Sequence, residues 1–505
     1  MSDTAPQPGK PKLRLVKAES PAERIERIAR HLRELDQAAA IAELGARDVE
    51  RALKTTVSLC PECLAHVPAI VFERAGRVIL SRRCEAHGPS EALIESDARF
   101  YALSNKDRHG RRFADAKVFR IPELPGACCG PGESCAPSPG AGTDQMANRT
   151  CTVLVEITDA CNMNCRVCYS ESAGERYLPL HLFQEHVGEL IAKKGRLDSV
   201  QITGGEASLH PRYWHMIEWL YQQEGVGKIY LPTNGLKLRD AAVRERLAPY
   251  ADKVMVLLQF DSIAGEPTRA LRRADPLALR RRVIEGLDAL GVPMQLTMTL
   301  AMDVNDAEVG QVIDLALAHE SVKLVAMQPV TTSGRFELPI DPMRRATLSD
   351  VAHAVVRQSK LRMSEESFIP IPCSHPNCGW ISVFLRRFGM VHDVVRYIDL
   401  DEAMDDVAYK TLLSTDELRN VVGTSDRSVL HRVAGWLGRR LVRSTDMFSI
   451  AIKPFMDRYT YDQDRIANCC HHITDTRGNL LSFCEHNAIG RRHDDWSRLP
   501  TRDGV

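Results

Sequence analysis

The chain lacks an excess charge of either sign. Lys and Arg together number 66, as do Asp and Glu, across 505 residues, so no global field draws it to nucleic acid or an anionic membrane. It lacks an apolar run of the roughly 18 residues that would span a bilayer. The opening stretch, MSDTAPQPGKPKLRLVKAES, is polar and lacks the apolar core of a signal peptide, which predicts a cytoplasmic location with reduced thiols. No internal repeat is visible. Hydrophobic content of 44% is ordinary for a globular protein, and the length admits one large core or two to four domains.

Cysteine is abundant instead. The 15 cysteines fall in clumps: 60/63/84, 128/129/135, 151, 161/165/168, 373/378 and 469/470/484. In a reducing compartment such clumps read as metal or cluster ligands rather than disulfides. An inert buried thiol explains any single cysteine but not the adjacent pairs Cys128-Cys129 and Cys469-Cys470. The sharpest signal is Cys161, Cys165 and Cys168, a C-x3-C-x2-C cluster on one short loop. Three thiolates at that spacing hold three irons of a [4Fe–4S] cube and leave the fourth open to a small molecule. A zinc knuckle is the competing reading, but such knuckles use C-x2-C pairs and close the metal with four ligands.

Residues 1–20 read as a disordered tail and 21–54 as a helical segment, with Pro21 at its start and Ile25, Ile28, Leu32 and Leu35 at helical spacing. Residues 55–125 read as a small metal module. Two β-like runs, 67–73 and 77–83, flank the Ala75-Gly76 turn; Cys60 and Cys63 precede this hairpin, and Cys84 and His87 follow it. That is a rubredoxin-like or zinc-ribbon layout, in which mononuclear iron or zinc staples a module too small for its own core. The fourth ligand is His87 or a distant cysteine. Residues 126–150 form a Gly/Pro/Ser-rich linker carrying Cys128, Cys129 and Cys135, and Cys151 follows it.

From 151 to 335 six β-like runs (152–157, 199–203, 228–231, 254–260, 294–300 and 323–328) alternate with amphipathic stretches at 181–194, 211–223, 238–250 and 275–290. This predicts an α/β fold, a parallel sheet curved into a partial (β/α)6 barrel with its chemistry at the strand C-termini. The three-cysteine loop follows the first strand. Gly204-Gly205-Glu206 closes the second, where two glycines allow close backbone approach and a carboxylate can accept bonds from an ammonium group. Asn234 after the third strand and Asp261 after the fourth are further candidate contacts, with turn chemistry as the plain alternative. Residues 336–490 read as a largely helical region carrying the auxiliary cysteines Cys373, Cys378, Cys469, Cys470 and Cys484, with 491–505 as a tail. Within it, 430–443 is basic on one side and apolar on the other: a packed helix with a solvated Arg face, or a peripheral membrane contact.

With Cys161, Cys165, Cys168, Tyr169 and Thr203–Glu206, residues 151–330 resemble the radical S-adenosylmethionine (radical SAM) superfamily. The resemblance implies a three-cysteine [4Fe–4S] cluster, S-adenosylmethionine, and a 5′-deoxyadenosyl radical that abstracts hydrogen from an unactivated carbon. It implies S-adenosylmethionine contacts at Tyr169, Gly204, Gly205, Glu206, Asn234 and Asp261, and a reductant such as flavodoxin or ferredoxin. Val167 departs from an aromatic residue common before the third cysteine, leaving adenine packing to Tyr169. Over about 55–490 the chain is similar to the subfamily containing tetraether lipid synthase and a pterin C-methyltransferase. Cys60, Cys63, Cys84 to Gly88, Glu206 to Pro211, 258–261, 328–330, 372–378, Cys469-Cys470 and 482–484 carry that likeness. It implies one or two auxiliary [4Fe–4S] clusters and a rubredoxin-like iron. Three thiolates for the open cluster and four for each of three closed sites make fifteen, though His87 can replace one. The spacing of Cys128, Cys129 and Cys135 departs from the subfamily pattern. The implied reaction is carbon–carbon bond formation, by lipid-chain coupling or C-methylation. Alternatives are the same radical chemistry on a peptide or other small metabolite, and a non-enzymatic electron carrier, against which the Gly-Gly-Glu turn argues.

Overall fold

A computed structural model describes residues 19–103, 150–371, 373–387, 389–395 and 446–505. The expectations for the tail before residue 19, for Cys128, Cys129 and Cys135 in their linker, and for the amphipathic stretch 430–443 lie outside the described residues.

Ser20 caps the first helix, Pro21–Glu34. Its hydroxyl accepts from the Glu23 amide, and the Glu23 carboxylate accepts from the Ser20 amide at 2.7 Å, a closed capping box. A second helix, Gln37–Glu43, stops before Gly45, whose φ of +67° no helix continues. The helical expectation therefore ends short of residue 54. Four antiparallel strands follow in chain order: β1 (Arg51–Leu59), β2 (His66–Arg74), β3 (Arg77–Cys84) and β4 (Gly88–Glu95). The expected hairpin is β2–β3, and its Ala75-Gly76 corner has φ of +52° and +68°, the left-handed pair that a tight hairpin needs. Ile25, Ile28 and Leu32 bury against Val57, Ile70, Phe72, Ile79 and Leu93 of the sheet, each worth about 1.5–3 kcal/mol. Helix and sheet thus share one core.

The second body is built on a parallel sheet. Strands β5 (Thr152–Glu156), β7 (Leu197–Thr203), β8 (Val226–Thr233), β9 (Val254–Gln259), β10 (Met294–Leu300) and β11 (Val322–Pro329) neighbour one another in that order, all parallel. They are the six expected strands. Helices Leu180–Lys194, Tyr213–Gln222, Leu277–Ala289 and Val309–Leu317 supply crossovers. The 238–250 stretch is not one helix: Ala241–Glu245 lies between two 3-10 turns, the second containing Pro249, which lacks an amide to donate. Between β5 and β7, the two-residue β6 (Val167–Cys168) pairs antiparallel with β12 (Arg335–Phe336).

The sheet stays open and runs on at both flanks. β16 (Met447–Ile452) lies parallel to β11, and outside it lie β14 (Trp380–Arg387), β13 (Ile369–Pro370) and β15 (Met390–Asp393). At the other edge β17 (His471–Thr474) lies parallel to β5, with β18 (Leu480–Ser482) beyond. Among the described residues, the region expected to be largely helical, 336–490, holds the helices Leu348–Gln358, Gln463–Ala467 and Phe483–Ala488, and strands β13 to β18 besides. The reason is side-chain period: β14 alternates buried and half-buried from Trp380 to Leu385, a two-residue repeat no helix satisfies. On β5, Val153 and Val155 face the crossover helices, whereas Leu154 packs with Met456, Tyr461 and Phe483 on the other face. The loops after the parallel strands gather at one end of this sheet, where such folds bind ligands. No helix among the described residues is long and apolar enough to cross a membrane.

Candidate active site

Cys161, Cys165 and Cys168 lie together on the loop leaving β5, each partly exposed. Burial pushes the Cys161 thiol up to about 11 and raises Cys165, and nearby thiols add to both shifts. The Met163 amide donates to Cys161 Sγ at 3.4 Å. Cys161 and Cys165 resist ionising alone, and a bound metal cluster draws off such protons.

Arginines hold this loop. Arg335 donates to Asn164 Oδ1 at 2.5 Å and to the carbonyls of Cys165 and Ser172 at 3.1 and 3.2 Å. It follows Gly334, where an added Cβ would sit 2.3 Å from the Cys168 and Tyr169 carbonyls at φ +60°. Arg272 donates to the Val167 carbonyl at 3.0 Å from beneath and makes a two-pronged pair with Asp261, 2.8 and 2.7 Å. Asp261 is buried and also accepts from Gln259 and the Thr299 amide. Burial opposes its charge, but the Arg272 guanidinium more than compensates and holds its carboxyl below the usual range. Asp261 is thus engaged by Arg272, Gln259 and the Thr299 amide, and acts on the loop through Arg272.

The Gly-Gly-Glu turn is stitched to the start of the same loop. The Gly205 and Glu206 amides donate to the Thr158 and Ala160 carbonyls, both at 2.8 Å. A Cβ on either glycine would come within 2.2 Å of those oxygens. Both glycines are therefore required by approach to the protein's own backbone. Glu206 is buried. It accepts from Ser208 Oγ (2.6 Å), Thr233 Oγ1 (2.8 Å) and the Asn234 amide (2.8 Å), while burial raises its carboxyl. Asn234 donates from Nδ2 to Asn162 Oδ1 at 2.8 Å, and its carbonyl accepts from Arg280, which lies 3.7 Å from Asp261. The ends of β7, β8 and β9 are so tied to the cysteine loop and to one another. Tyr169 packs edge-on against Phe455 and Phe483, at 5.8 and 5.6 Å, and burial raises its phenol well above the ordinary value. Arg272, Arg280 and Arg335 escaped sequence reasoning: Arg272 and Arg280 sit in short arginine runs and Arg335 stands alone, none within a motif.

Among the described residues, the cysteines outside this loop form three further groups. Cys60, Cys63, Cys84 and His87 bring their ligand atoms within 4.8 Å of one another. Cys63 and Cys84 Sγ are 3.9 Å apart, and His87 Nδ1 lies 3.5 Å from Cys60 and 3.6 Å from Cys84. A tetrahedral zinc with bonds of about 2.3 Å to sulfur and about 2.0–2.1 Å to nitrogen has edges of about 3.8 and 3.6 Å. The residues fit that metal, and His87 stands in the fourth position, so the count of four thiolates per closed site does not hold here. Buried Cys151, Cys373 and Cys470 form the second group, with 2.9 Å between the last two sulfurs. Cys378, Cys469 and Cys484 form the third: Cys378 lies close enough to raise the other two thiols, and Cys469 to raise Cys484. Arg465 donates to Cys378 Sγ, and the Met456 amide to Cys484 Sγ, both at 3.4 Å. A buried ionic cluster joins the first body to this last group. Lys54 of β1 meets Asp462 and Asp464 at 2.7 and 2.8 Å, and Asp464 meets His375.

Residues 52–96 match the HMPTM N-terminal zinc ribbon domain, and residues 155–316 match the radical SAM superfamily. The 7,8-dihydro-6-hydroxymethylpterin dimethyltransferase of Methanocaldococcus jannaschii is 25% identical over 509 residues, covering 88% of this chain and 97% of that protein. A GTP 3′,8-cyclase of Peptoclostridium acidaminophilum is 27% identical over 202 residues, 38% of this chain and 60% of its own length. Among solved structures, Streptococcus suis SuiB is 14% identical with a TM-score of 0.36, covering 63% of this chain and 72% of that one. That score is too low to carry an argument. Residues 155–316 are thus a radical SAM domain set behind an HMPTM-type zinc ribbon, and the chain is a radical SAM enzyme.

Proposed function

We propose that the chain catalyses C-methylation of a small heterocyclic substrate of the pterin class. One observation carries this reading: the match to the pterin dimethyltransferase covers 88% of this chain and 97% of that protein, whereas the cyclase match covers only 38% of this chain. Cys161, Cys165 and Cys168 hold the [4Fe–4S] cluster. Gly204, Gly205, Glu206 and Asn234 border the S-adenosylmethionine site, while Asp261 and Tyr169 support it from behind. Bound cluster and S-adenosylmethionine supply a 5′-deoxyadenosyl radical that takes hydrogen from a carbon. The chain's own residues fix the loop: Arg335 from one side, Arg272 from beneath, and Glu206 through the Asn234 amide.

The groups Cys151/Cys373/Cys470 and Cys378/Cys469/Cys484 hold auxiliary [4Fe–4S] clusters in this reading. Each group lacks one thiolate, and two of Cys128, Cys129 and Cys135 supply them in this reading. A flavodoxin or ferredoxin delivers the electron. Lipid-chain coupling is the second reading, since tetraether lipid synthase shares the subfamily pattern of cysteines; a peripheral membrane contact belongs to it.

The test is anaerobic reconstitution with dithionite and S-adenosylmethionine. The expected product is 5′-deoxyadenosine, abolished in Cys165→Ala. With a dihydropterin present, mass spectrometry should show a pterin heavier by one methylene unit. Absence of the nucleoside from fully loaded protein would overturn the radical reading. Nucleoside without methylated pterin, together with altered lipid extracts from a deletion strain, would replace methylation by lipid coupling.

A further inference from the structure

We propose a divalent-cation site formed by Glu156, His486 and Asp494, separate from every thiolate group described above. Glu156 is the last residue of β5 and His486 lies on the helix Phe483–Ala488. Asp494 follows the turn Gly490–His493. One ligand atom from each lies within 4.8 Å of the other two. Glu156 is buried and accepts from Arg491 Nη1 and Nη2, both at 2.9 Å; Asp494 Oδ1 accepts from the Thr476 amide at 2.9 Å.

Carboxylates near an arginine make no site by themselves. The independent observation is His486. It is fully buried, and neither ring nitrogen has a hydrogen-bond partner. A buried imidazole almost always places at least one nitrogen on a partner, and this one points a nitrogen into the two carboxylates. A metal ion meets that demand. Each carboxylate oxygen keeps a lone pair beyond the one its present donor uses. Two carboxylates and one guanidinium leave a net negative charge for a cation to neutralise.

The donor set names the ion class. One imidazole and two carboxylates suit a first-row divalent ion such as Mn²⁺, Fe²⁺ or Zn²⁺, in contrast to the thiolate groups elsewhere in the chain. The ion would clip the helix that carries Cys484 to the strand that leads, five residues later, into Cys161. Arg491, which grips the same Glu156, feels the charge of Cys168.

The probe is Mn²⁺ alone, followed by its free-ion EPR signal during titration of the full chain, purified anaerobically with its zinc and iron–sulfur sites loaded. Thiolate sites discriminate against this hard ion. The expected result is one Mn²⁺ taken up per chain, with affinity lowered at least about tenfold in His486→Phe and in Asp494→Asn. Mn²⁺ should raise the Tm of the wild type but not of His486→Phe, whose metal-free Tm should equal or exceed the wild-type value. Asp494→Asn keeps the acceptor for Thr476 and serves if the phenylalanine variant does not fold. No uptake at millimolar Mn²⁺, or uptake unchanged in the folded variants, would overturn the proposal.

Discussion

Asp261→Asn tests how the cysteine loop is held. The wild-type carboxylate takes both prongs of Arg272, and the side chains are 0% and 7% exposed. Asparagine keeps one acceptor oxygen but turns an amide donor toward a guanidinium that has only donors. Arg272 is then left buried with the Val167 carbonyl, the Thr299 hydroxyl and the Cys165 sulfur as acceptors. Breaking one side of a buried ion pair costs about 3–5 kcal/mol. With a urea dependence on the order of 3 kcal/mol/M, the unfolding midpoint should fall by roughly 1 M or more. A second arm separates charge from position. Arg272→Met with Asp261→Leu removes this pair and should recover part of the stability, because Arg280, 3.7 Å from Asp261, then stays buried without its counter-charge. It also removes the Arg272–Val167 bond, so 5′-deoxyadenosine formation should stay depressed. The pH sign is fixed as well. A carboxyl held below its ordinary value stabilises the fold above the unfolded carboxylate pKa of about 4, and that contribution fades as pH falls through the lowered folded value. A loss under about 1 kcal/mol in Asp261→Asn, or a double variant as unstable as the single, would refute the reasoning.

Replacing His87 with alanine should cost on the order of 3 kcal/mol, a quarter of the apparent ~10–16 kcal/mol of a structural zinc site, whereas His87→Cys should retain the metal; zinc per chain by elemental analysis and the Tm read both. Gly334→Ala forces a Cβ to 2.3 Å from two carbonyls of the cysteine loop, and should cost more than about 1–3 kcal/mol and lower the iron bound per chain. Burial pushes the Glu95 carboxyl up to about 7. A raised carboxyl destabilises the fold progressively as pH climbs from its unfolded to its folded value. Stability should therefore fall by about 3 kcal/mol between roughly pH 4.5 and 7, and Glu95→Gln should flatten that decline in urea unfolding followed across pH.

The six parallel strands were legible because each is an apolar run followed by a helical stretch, and the β2–β3 hairpin because Ala75-Gly76 marks its corner. The cysteine loop was legible from spacing alone. The roles of Glu206 and Asp261 were not. Sequence marks them as carboxylates at strand ends, but their partners, Ser208, Thr233 and the Asn234 amide for one and Arg272 for the other, are set by tertiary approach. The same holds for Arg335, which reaches 170 residues back along the chain to the Cys165 carbonyl. β16 and β17 were missed because they complete the sheet by pairing with β11 and β5, far away in sequence. β14 was missed because its run from Trp380 to Leu385 is apolar at all but Ser382, and the alternation shows only in its burial. His87 was visible as a candidate, and only distances chose it over a remote thiol.

Cys469 and Cys470 are consecutive, yet their sulfurs serve different partners: Cys470 meets Cys373 and Cys151, and Cys469 senses Cys378 and Cys484. A single amide unit is all that separates the two assemblies. Whatever occupies one therefore anchors the backbone of the other, so the pair should fill and empty in concert. Deleting or inserting one residue here would hand each assembly its neighbour's sulfur, a shift the flanking β17 cannot absorb without slipping its register on β5.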